Sequence, residues 1–174
     1  MSLAEAKIRR LLPEDAVLYR EIRLEALRSD PDAFGSTFDE ENSEPLRWFV
    51  DGLNSSAVFG AFDGPDLLGV VGFLIRKGRK EAHKGVLWGM YVRPKARTGG
   101  VGRRLVEAVI NHARQCVEVV QLNVIKDNEP ARRLYARLGF IEYGMEPSSL
   151  KQNGRYWDEV LMVKLLLPKQ APPP

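Results

Sequence analysis

The sequence predicts one mixed α/β layer domain on a mostly antiparallel sheet, and three observations predict it. Apolar runs at 57–62, 67–75 and 85–92 follow one another with turn-rich connections, as in an antiparallel meander. A glycine turn at 98–102 then leads directly into a helical apolar stripe. A further strand, helix and strand succeed it, so strands pass through helices into strands. At 174 residues the chain suits a single domain, over 1–168, with a core that needs neither disulfide nor metal. The proline-rich segment 169–174 reads as a disordered tail.

Taken in order, 7–11 is a short strand. Pro13-Glu14-Asp15 opens a helix with proline and acids where the first turn favours them. Val17, Ile22, Leu24 and Leu27 carry an imperfect stripe to Ser29-Asp30-Pro31. Residues 32–38 read as a loop whose Phe34 and Phe38 must bury against something. Ser43-Glu44-Pro45 with Trp48 and Phe49 marks a second, short helix. Asp63-Gly64-Pro65-Asp66 joins the first two apolar runs into a hairpin, and 76–84 is a charged turn before the third.

The helix predicted at 100–114 places Val101, Leu105, Ala108, Val109 and His112 on one face. His112 therefore reads as a helix-end or core-edge residue rather than a catalyst. A strand follows at 117–125, and Asp127-Asn128-Glu129-Pro130 starts a short helix with Ala131, Leu134, Tyr135 and Leu138 as its buried stripe and Gly139 as its cap. Residues 140–144 are predicted as a short strand, 145–153 as a loop and 156–167 as the last strand.

Composition narrows the function classes. With 44% hydrophobic and 28% charged residues, the chain falls among ordinary globular proteins rather than disordered or fibrous ones. Cys116 is the single cysteine and there are two histidines, which rules out an intramolecular disulfide and a Cys/His zinc cluster and suits a reducing cytoplasm. The longest apolar run, 67–75, is far short of the roughly 20 residues a membrane span needs, and the MSLAEAKIRR start lacks the apolar region of a signal peptide. Charge is unevenly spread: 14–51 holds 11 acids and 4 bases, whereas 76–104 holds 10 bases and 1 acid. These read as two surfaces, either solvated faces or, for the basic one, a polyanion site.

The glycine turn Arg97-Thr98-Gly99-Gly100-Val101-Gly102-Arg103 collects backbone N–H groups at a helix start, where anions bind. Two phosphate-binding templates fail on it. A dinucleotide fingerprint needs glycine at Leu105 and a place on the first strand of a parallel unit, and a P-loop needs a lysine after Gly102. A third, Arg/Gln-x-x-Gly-x-Gly/Ala, is met by Arg97, Gly100 and Gly102.

Together with Met90-Tyr91-Val92 before it and Asn128, Tyr135 and Leu138-Gly139-Phe140 after it, that turn resembles the GNAT superfamily of acyl-CoA N-acyltransferases. Phe34-Gly35-Ser36-Thr37-Phe38 and Asp158-Glu159-Val160-Leu161-Met162 look like its bacterial members, so the resemblance spans almost the whole chain. It implies a central, mostly antiparallel, splayed mixed sheet flanked by about four helices. Acetyl-CoA is the implied co-substrate, with no metal. The coenzyme A pyrophosphate suits the turn, because glycines let the backbone of Thr98, Gly99, Gly100, Val101, Gly102 and Arg103 approach it, with Arg97, Arg103 and Arg104 as nearby cations.

The resemblance further implies that backbone groups of Met90 and Val92 hold the pantetheine arm, and that a main-chain N–H at Met90 or Tyr91 polarises the thioester carbonyl. Gly89 is compatible with close backbone approach. Asn128 and Tyr135, seven residues apart, share one helix face. By resemblance Asn128 contacts the cofactor and Tyr135 stands by the sulfur as general acid to the departing thiolate. Many family members place a glutamate on the strand here occupied by 86–92, which has no carboxylate, so the base stays unassigned among Glu40, Glu41, Glu44 and Asp158 acting through water.

The expected activity is acetyl transfer from acetyl-CoA to a primary amine of a small molecule or peptide, by direct attack in a ternary complex. The acidic first quarter suggests a cationic acceptor, with Phe34, Phe38 and Trp48 lining its groove. A non-catalytic acyl-CoA sensor is the alternative, and the presence of Tyr135 favours the enzyme. Nucleic acid is not an expected partner, because the bases surround a glycine turn without interleaved aromatics. A homodimer is compatible with the family.

Overall fold

The computed structural model describes residues 6–166, and the expected 169–174 tail lies outside them. Seven strands form one sheet: β1 (Lys7–Arg10), β2 (Ala57–Asp63), β3 (Asp66–Ile75), β4 (Lys84–Val92), β5 (Val119–Ile125), β6 (Ile141–Gln152) and β7 (Arg155–Leu165), in the order β1-β2-β3-β4-β5-β7-β6. The helices are α1 (Ala16–Ser29), α2 (Phe38–Asn42), α3 (Leu46–Ser55), α4 (Val101–Ala113) and α5 (Glu129–Arg137). Every strand pair is antiparallel except β4 with β5. No described helix is long and apolar enough to cross a membrane.

Helices cover both faces of the sheet. On one, α1 and α3 bury Tyr19, Ile22, Phe49 and Leu53 against Val58, Val70 and Tyr91. On the other, α4 buries Leu105, Val106 and Val109 against Phe73, Leu87, Val120 and Leu122. Each such large apolar side chain contributes on the order of 1.5–3 kcal/mol when withdrawn from water. The buried stripe of α4 is Val101, Leu105, Val106, Val109, Ile110 and Ala113. Ala108 and His112, expected within it, are half-buried at its margin, where the His112 imidazole packs between Phe59 and Phe73 and burial lowers its pKa.

Three expectations change. Segment 32–38 is not wholly loop, because Phe38 starts α2 behind a capping box in which Thr37 and Glu40 bond each other's backbone. Segment 145–153 is not a loop either. Most of it belongs to β6, an edge strand with register shifts at Glu142/Gly144 and Glu146/Leu150, and Ser148 there has φ 54°. An edge strand tolerates Pro147, and side chains of β7 hold the irregular part: Asp158 accepts the Ser148 N–H at 2.9 Å and Glu159 the Ser149 hydroxyl at 2.7 Å. Thirdly, the acidic and basic segments are not separate surfaces. Glu25 pairs with Arg93 at 2.9 Å and Asp30 with Arg97 at 2.6 Å, tying the C-terminal half of α1 to the end of β4.

β4 and β5 pair only over Lys84–Val86 and Val119–Gln121. Beyond Val86 the parallel ladder stops, so Leu87 to Val92 keeps its β5-facing backbone edge without a strand partner among the described residues. The functional geometry rests on this opening.

Candidate active site: a cleft in the open sheet

A cleft of about 700 Å³ lies at the opening. Met90, Tyr91 and Val92 of β4 form one wall and Ala131, Leu134 and Leu138 of α5 another, while Arg97, Thr98, Gly100 and Gly102 form its end and Phe34 borders it. The α5 residues expected as buried core are only half-buried, Tyr135 excepted, because they line the cleft. A smaller lobe of about 320 Å³ shares Asp30, Ala33 and Asn128 with the cleft and reaches Asp32, Asp127 and Trp157.

The glycine turn builds an anion cradle. Gly100 is the N-cap of α4 with φ 73°, a left-handed conformation that glycine adopts without penalty. No heavy atom lies within 4 Å of where its Cβ would stand. The first backbone bond back into α4 is Arg104 N–H to the Gly100 carbonyl, which leaves the N–H groups of Val101, Gly102 and Arg103 at the positive end of the helix. A Cβ on Gly102 would stand 3.0 Å from Met90 Cε, so glycine there permits the close approach of α4 to β4. Gly99 ends the Pro94–Gly99 3-10 turn, and the Val101 side chain is fully buried, leaving these residues their backbone to offer.

The arginines differ in their engagement. Arg97 borders the cleft but is anchored: its Nε donates to the Val92 carbonyl at 2.9 Å while its guanidinium pairs with Asp30. Arg103 lines the cleft, pairs with Glu107 at 2.8 Å and is 69% exposed, so it is the readier to turn toward a ligand. Arg104 donates to the Ala6 carbonyl beside β1 and is not among the residues lining the cleft, which corrects its expected place among the nearby cations.

β4 bulges at the centre of the site. Tyr91 pairs with Val70 and Trp88 with Gly72, so Gly89 and Met90 together oppose the single residue Val71. Gly89 has φ 60°, which gives the expected close-approach glycine a more definite reason: it is the left-handed residue of the bulge. Met90, the other residue of the bulge, lies on the stretch of β4 that has no β5 partner. The Tyr91 side chain donates its hydroxyl to Glu25 at 3.1 Å, and so leaves its backbone to offer.

Asn128 caps α5, its Oδ1 accepting the Ala131 N–H at 3.3 Å, and lines both lobes, with its amide NH2 as remaining donor. Tyr135 is 5% exposed, is not itself among the residues lining the cleft, and packs edge-on against Phe140, and burial pushes its hydroxyl above the ordinary phenol range. Of the three expected groove aromatics, Phe34 borders the cleft. Phe38 lies under the Arg28 guanidinium and Trp48 is 44% exposed against Phe49, neither among the lining residues.

The candidate bases are engaged or distant. Glu40 closes the Thr37 capping box, which lowers its pKa, and the Ser148 N–H with Lys126 lowers that of Asp158. Glu41 is buried against Arg23, and none of the four candidates, Glu44 included, lines the cleft. Among the described residues no group of three or more His, Cys, Asp or Glu side chains is placed to hold a metal ion.

Sequence reading missed the buried Arg23–Glu41 pair. The available signals were a cation between Ile22 and Leu24 on an apolar stripe, and the Thr37-x-x-Glu40 capping box that places Glu41 on a helix.

An open mixed sheet with a bulged, half-unpaired strand leading into a glycine-capped helix defines the class of architecture. The chain belongs to the acetyltransferase (GNAT) family, whose model matches residues 20–140. Its relatives include the mycothiol acetyltransferase of Streptomyces scabiei, 32% identical over 141 residues, which cover 78% of this chain and 43% of that protein. The chain thus spans well under half the length of that relative. Among solved structures, a GNAT-family acetyltransferase from Streptococcus pneumoniae superposes with TM-score 0.81 at 24% identity, covering 92% of this chain and 99% of that one. YncA from Salmonella typhimurium, solved with its cofactor acetyl-CoA, superposes with TM-score 0.80 at 23% identity, covering 97% and 98%. These two likenesses establish the splayed-sheet fold expected from sequence.

Proposed function

We propose that the protein transfers an acetyl group from acetyl-CoA to a primary amine of a small molecule or peptide, by direct attack in a ternary complex. The observation that carries this reading is the continuity of one cleft from the N–H cradle at Gly100 to the unpaired edge of β4 at Met90. The cradle suits the coenzyme A pyrophosphate, since the place of the missing Gly100 Cβ is open and three N–H groups converge there. Arg103 adds a charge-assisted contact, and Arg97 fixes the turn through Val92 and Asp30. The unpaired backbone of Met90 and Val92 suits the amide groups of the pantetheine arm.

Acetyl-CoA supplies an activated thioester carbonyl. The Met90 N–H, within the bulge, stabilises negative charge on its oxygen, an interaction worth most where charge develops. The neutral amine nitrogen bonds to that carbon to give a tetrahedral intermediate. As it collapses the carbon–sulfur bond breaks, the thiolate leaves, and the proton lost by nitrogen passes to water in the cleft, none of the four candidate carboxylates lining it. Tyr135 acts best as a hydrogen-bond donor to this thiolate. Full transfer from a phenol near pKa 10 to a thiol near 8.5 is already uphill by about 2 kcal/mol, and burial of Tyr135 raises the cost.

Thiol release measured with acetyl-CoA across amine classes tests the reading against a non-catalytic acyl-CoA sensor, which binds acetyl-CoA and releases none. Tyr135→Phe lowers kcat at least about tenfold and changes the acetyl-CoA Kd by less than about twofold. Unchanged turnover in that variant removes Tyr135 from the chemistry.

A further inference from the structure

Arg23 is 7% exposed and Glu41 5%, and the pair is joined by three hydrogen bonds. All three use Nε and Nη2. Nη1 is buried and has no hydrogen-bond partner. A buried guanidinium nitrogen without an acceptor is rare and costly, and it marks a place where a partner belongs. Its position is specific: a Cβ on Gly89 would stand 3.5 Å from Arg23 Nη1, which puts this donor beside the bulge of β4. On the same face of β4, the Trp88 indole Nε1 is the other buried side-chain nitrogen without a partner among the described residues.

Phe34 separates this place from the cleft. Its ring centroid is 5.0 Å from the Arg23 guanidinium carbon, and the same half-buried ring borders the cleft. The residue sits between the Pro31–Ala33 3-10 turn and α2, outside either element. Neither Arg23 nor Trp88 lines the cleft, so access to Nη1 requires a rotamer change of this one side chain, a fast motion for an incompletely buried ring.

We propose that Arg23, through Nη1 and with Trp88 as second donor, holds the carboxylate of an acceptor that is an α-amino acid. This rests on the acetyltransferase reading, in which the amine attacks beside the Met90 N–H. Gly89, the residue that faces Nη1, is next to Met90 in the bulge, so this donor and the N–H assigned to the thioester oxygen stand at neighbouring residues. An α-carboxylate, whose carbon is two bonds from the amine nitrogen, suits donors so placed better than an acid on a long tether does. The acid that lines the cleft and the acid that touches Arg23 are both spent on cations, Asp30 on Arg97 and Glu41 on Arg23, and the group without a partner beside the bulge is a donor. The unpartnered donor at Arg23 thus adds a carboxylate to the cationic amine acceptor expected from the acidic first quarter.

The test compares L-phenylalanine, L-leucine and L-lysine with their decarboxylated amines, phenethylamine, isoamylamine and cadaverine, by thiol release with acetyl-CoA. The wild-type protein favours the amino acids at least about tenfold in kcat/KM, about the discrimination one charge-assisted hydrogen bond supplies. Arg23→Lys keeps a cation against Glu41 but offers one nitrogen in place of three, losing Nη1 together with the paired Nε and Nη2 geometry, and Trp88→Phe deletes one N–H from a packed ring. Each lowers the preference through the amino-acid KM, with kcat within about twofold. Should Arg23→Lys unfold, Trp88→Phe carries the comparison. Equal use of the two series by the wild type, exclusive use of the amines, or an unchanged preference in a folded variant overturns the carboxylate site. Acetyl-CoA binding, followed by thermal shift on the same proteins, separates the two levels: its absence in the wild type sinks the acetyltransferase reading, while its presence with no amino-acid preference sinks only the proposal about Arg23.

Discussion

At the scale of single residues, the site depends on glycines whose roles differ. Gly100 has a left-handed backbone and open space beside it, whereas a Cβ on Gly102 would stand 3.0 Å from the flexible end of Met90, which would have to give by a few tenths of an ångström. Gly100→Val therefore has two separable effects. Forcing a β-branched residue to positive φ costs about 1–2 kcal/mol of stability. The added methyl groups also enter open space in front of the helix N-terminus, between the N–H groups and a phosphate. The expected result is a folded protein with a modestly lowered Tm and acetyl-CoA affinity reduced at least about tenfold, measured by isothermal titration. Unchanged affinity would remove the pyrophosphate from this turn. Motif spacing alone makes Gly100 legible in the sequence, because a glycine requirement at a helix start is a local property. Arg23 is not legible in the same way, since its importance lies in which of its nitrogens lacks a partner.

At the scale of elements, junctions decide how the layers meet. Asp15 is the clearest case: its carboxylate accepts two bonds from Arg9 of β1, at 2.7 and 2.8 Å, and a third from the Leu12 N–H at 2.8 Å, joining the first strand to the start of α1. The Arg9 guanidinium, with help from the Leu12 N–H, holds the Asp15 carboxyl below the usual carboxylate range. Its folded-state pKa is thus lower than its unfolded value near 3.9. The resulting stabilisation is fully present above about pH 5 and disappears as pH falls through the folded-state pKa. Asp15→Asn should lower stability by about 1 kcal/mol at pH 7, a figure kept small because Arg9 is 37% exposed. The gap between variant and wild type should close progressively below pH 4 in urea titrations, and a gap independent of pH would show that the pair contributes nothing through its charge. Element boundaries are legible where apolar periodicity is strong, as for β2, β3 and α4. They are not for β6, whose polar, proline-containing sequence is held in a strand by backbone pairing and by Asp158 and Glu159 on its neighbour.

At the scale of the whole molecule, the decisive feature is where pairing stops. The order of strands and helices can be read along the chain, and so can the family resemblance. The opening itself cannot be derived from periodicity, because the β4 and β5 stretches look alike as apolar strands on both sides of the point where they part. The same holds for the charges: acids and bases that look segregated in sequence meet across α1 and β4 once folded. A sheet that parts at its centre has unpaired backbone on one strand and a half-buried helix face on the other side, so a ligand that fills the gap should stabilise the folded state as a whole. At a concentration 100 times its Kd, such a ligand adds about 2.7 kcal/mol, which for a chain of this size corresponds to a rise in Tm of roughly 5–10 °C. Acetyl-CoA should produce that shift and Gly100→Val, with its affinity lowered at least about tenfold, should remove at least about half of it, while a single-stranded oligonucleotide at equal concentration should leave Tm unchanged. An oligonucleotide shift as large as that of acetyl-CoA would instead mean that the basic residues around the turn serve a polyanion, and that the opening between β4 and β5 is not the place where this protein binds its principal ligand.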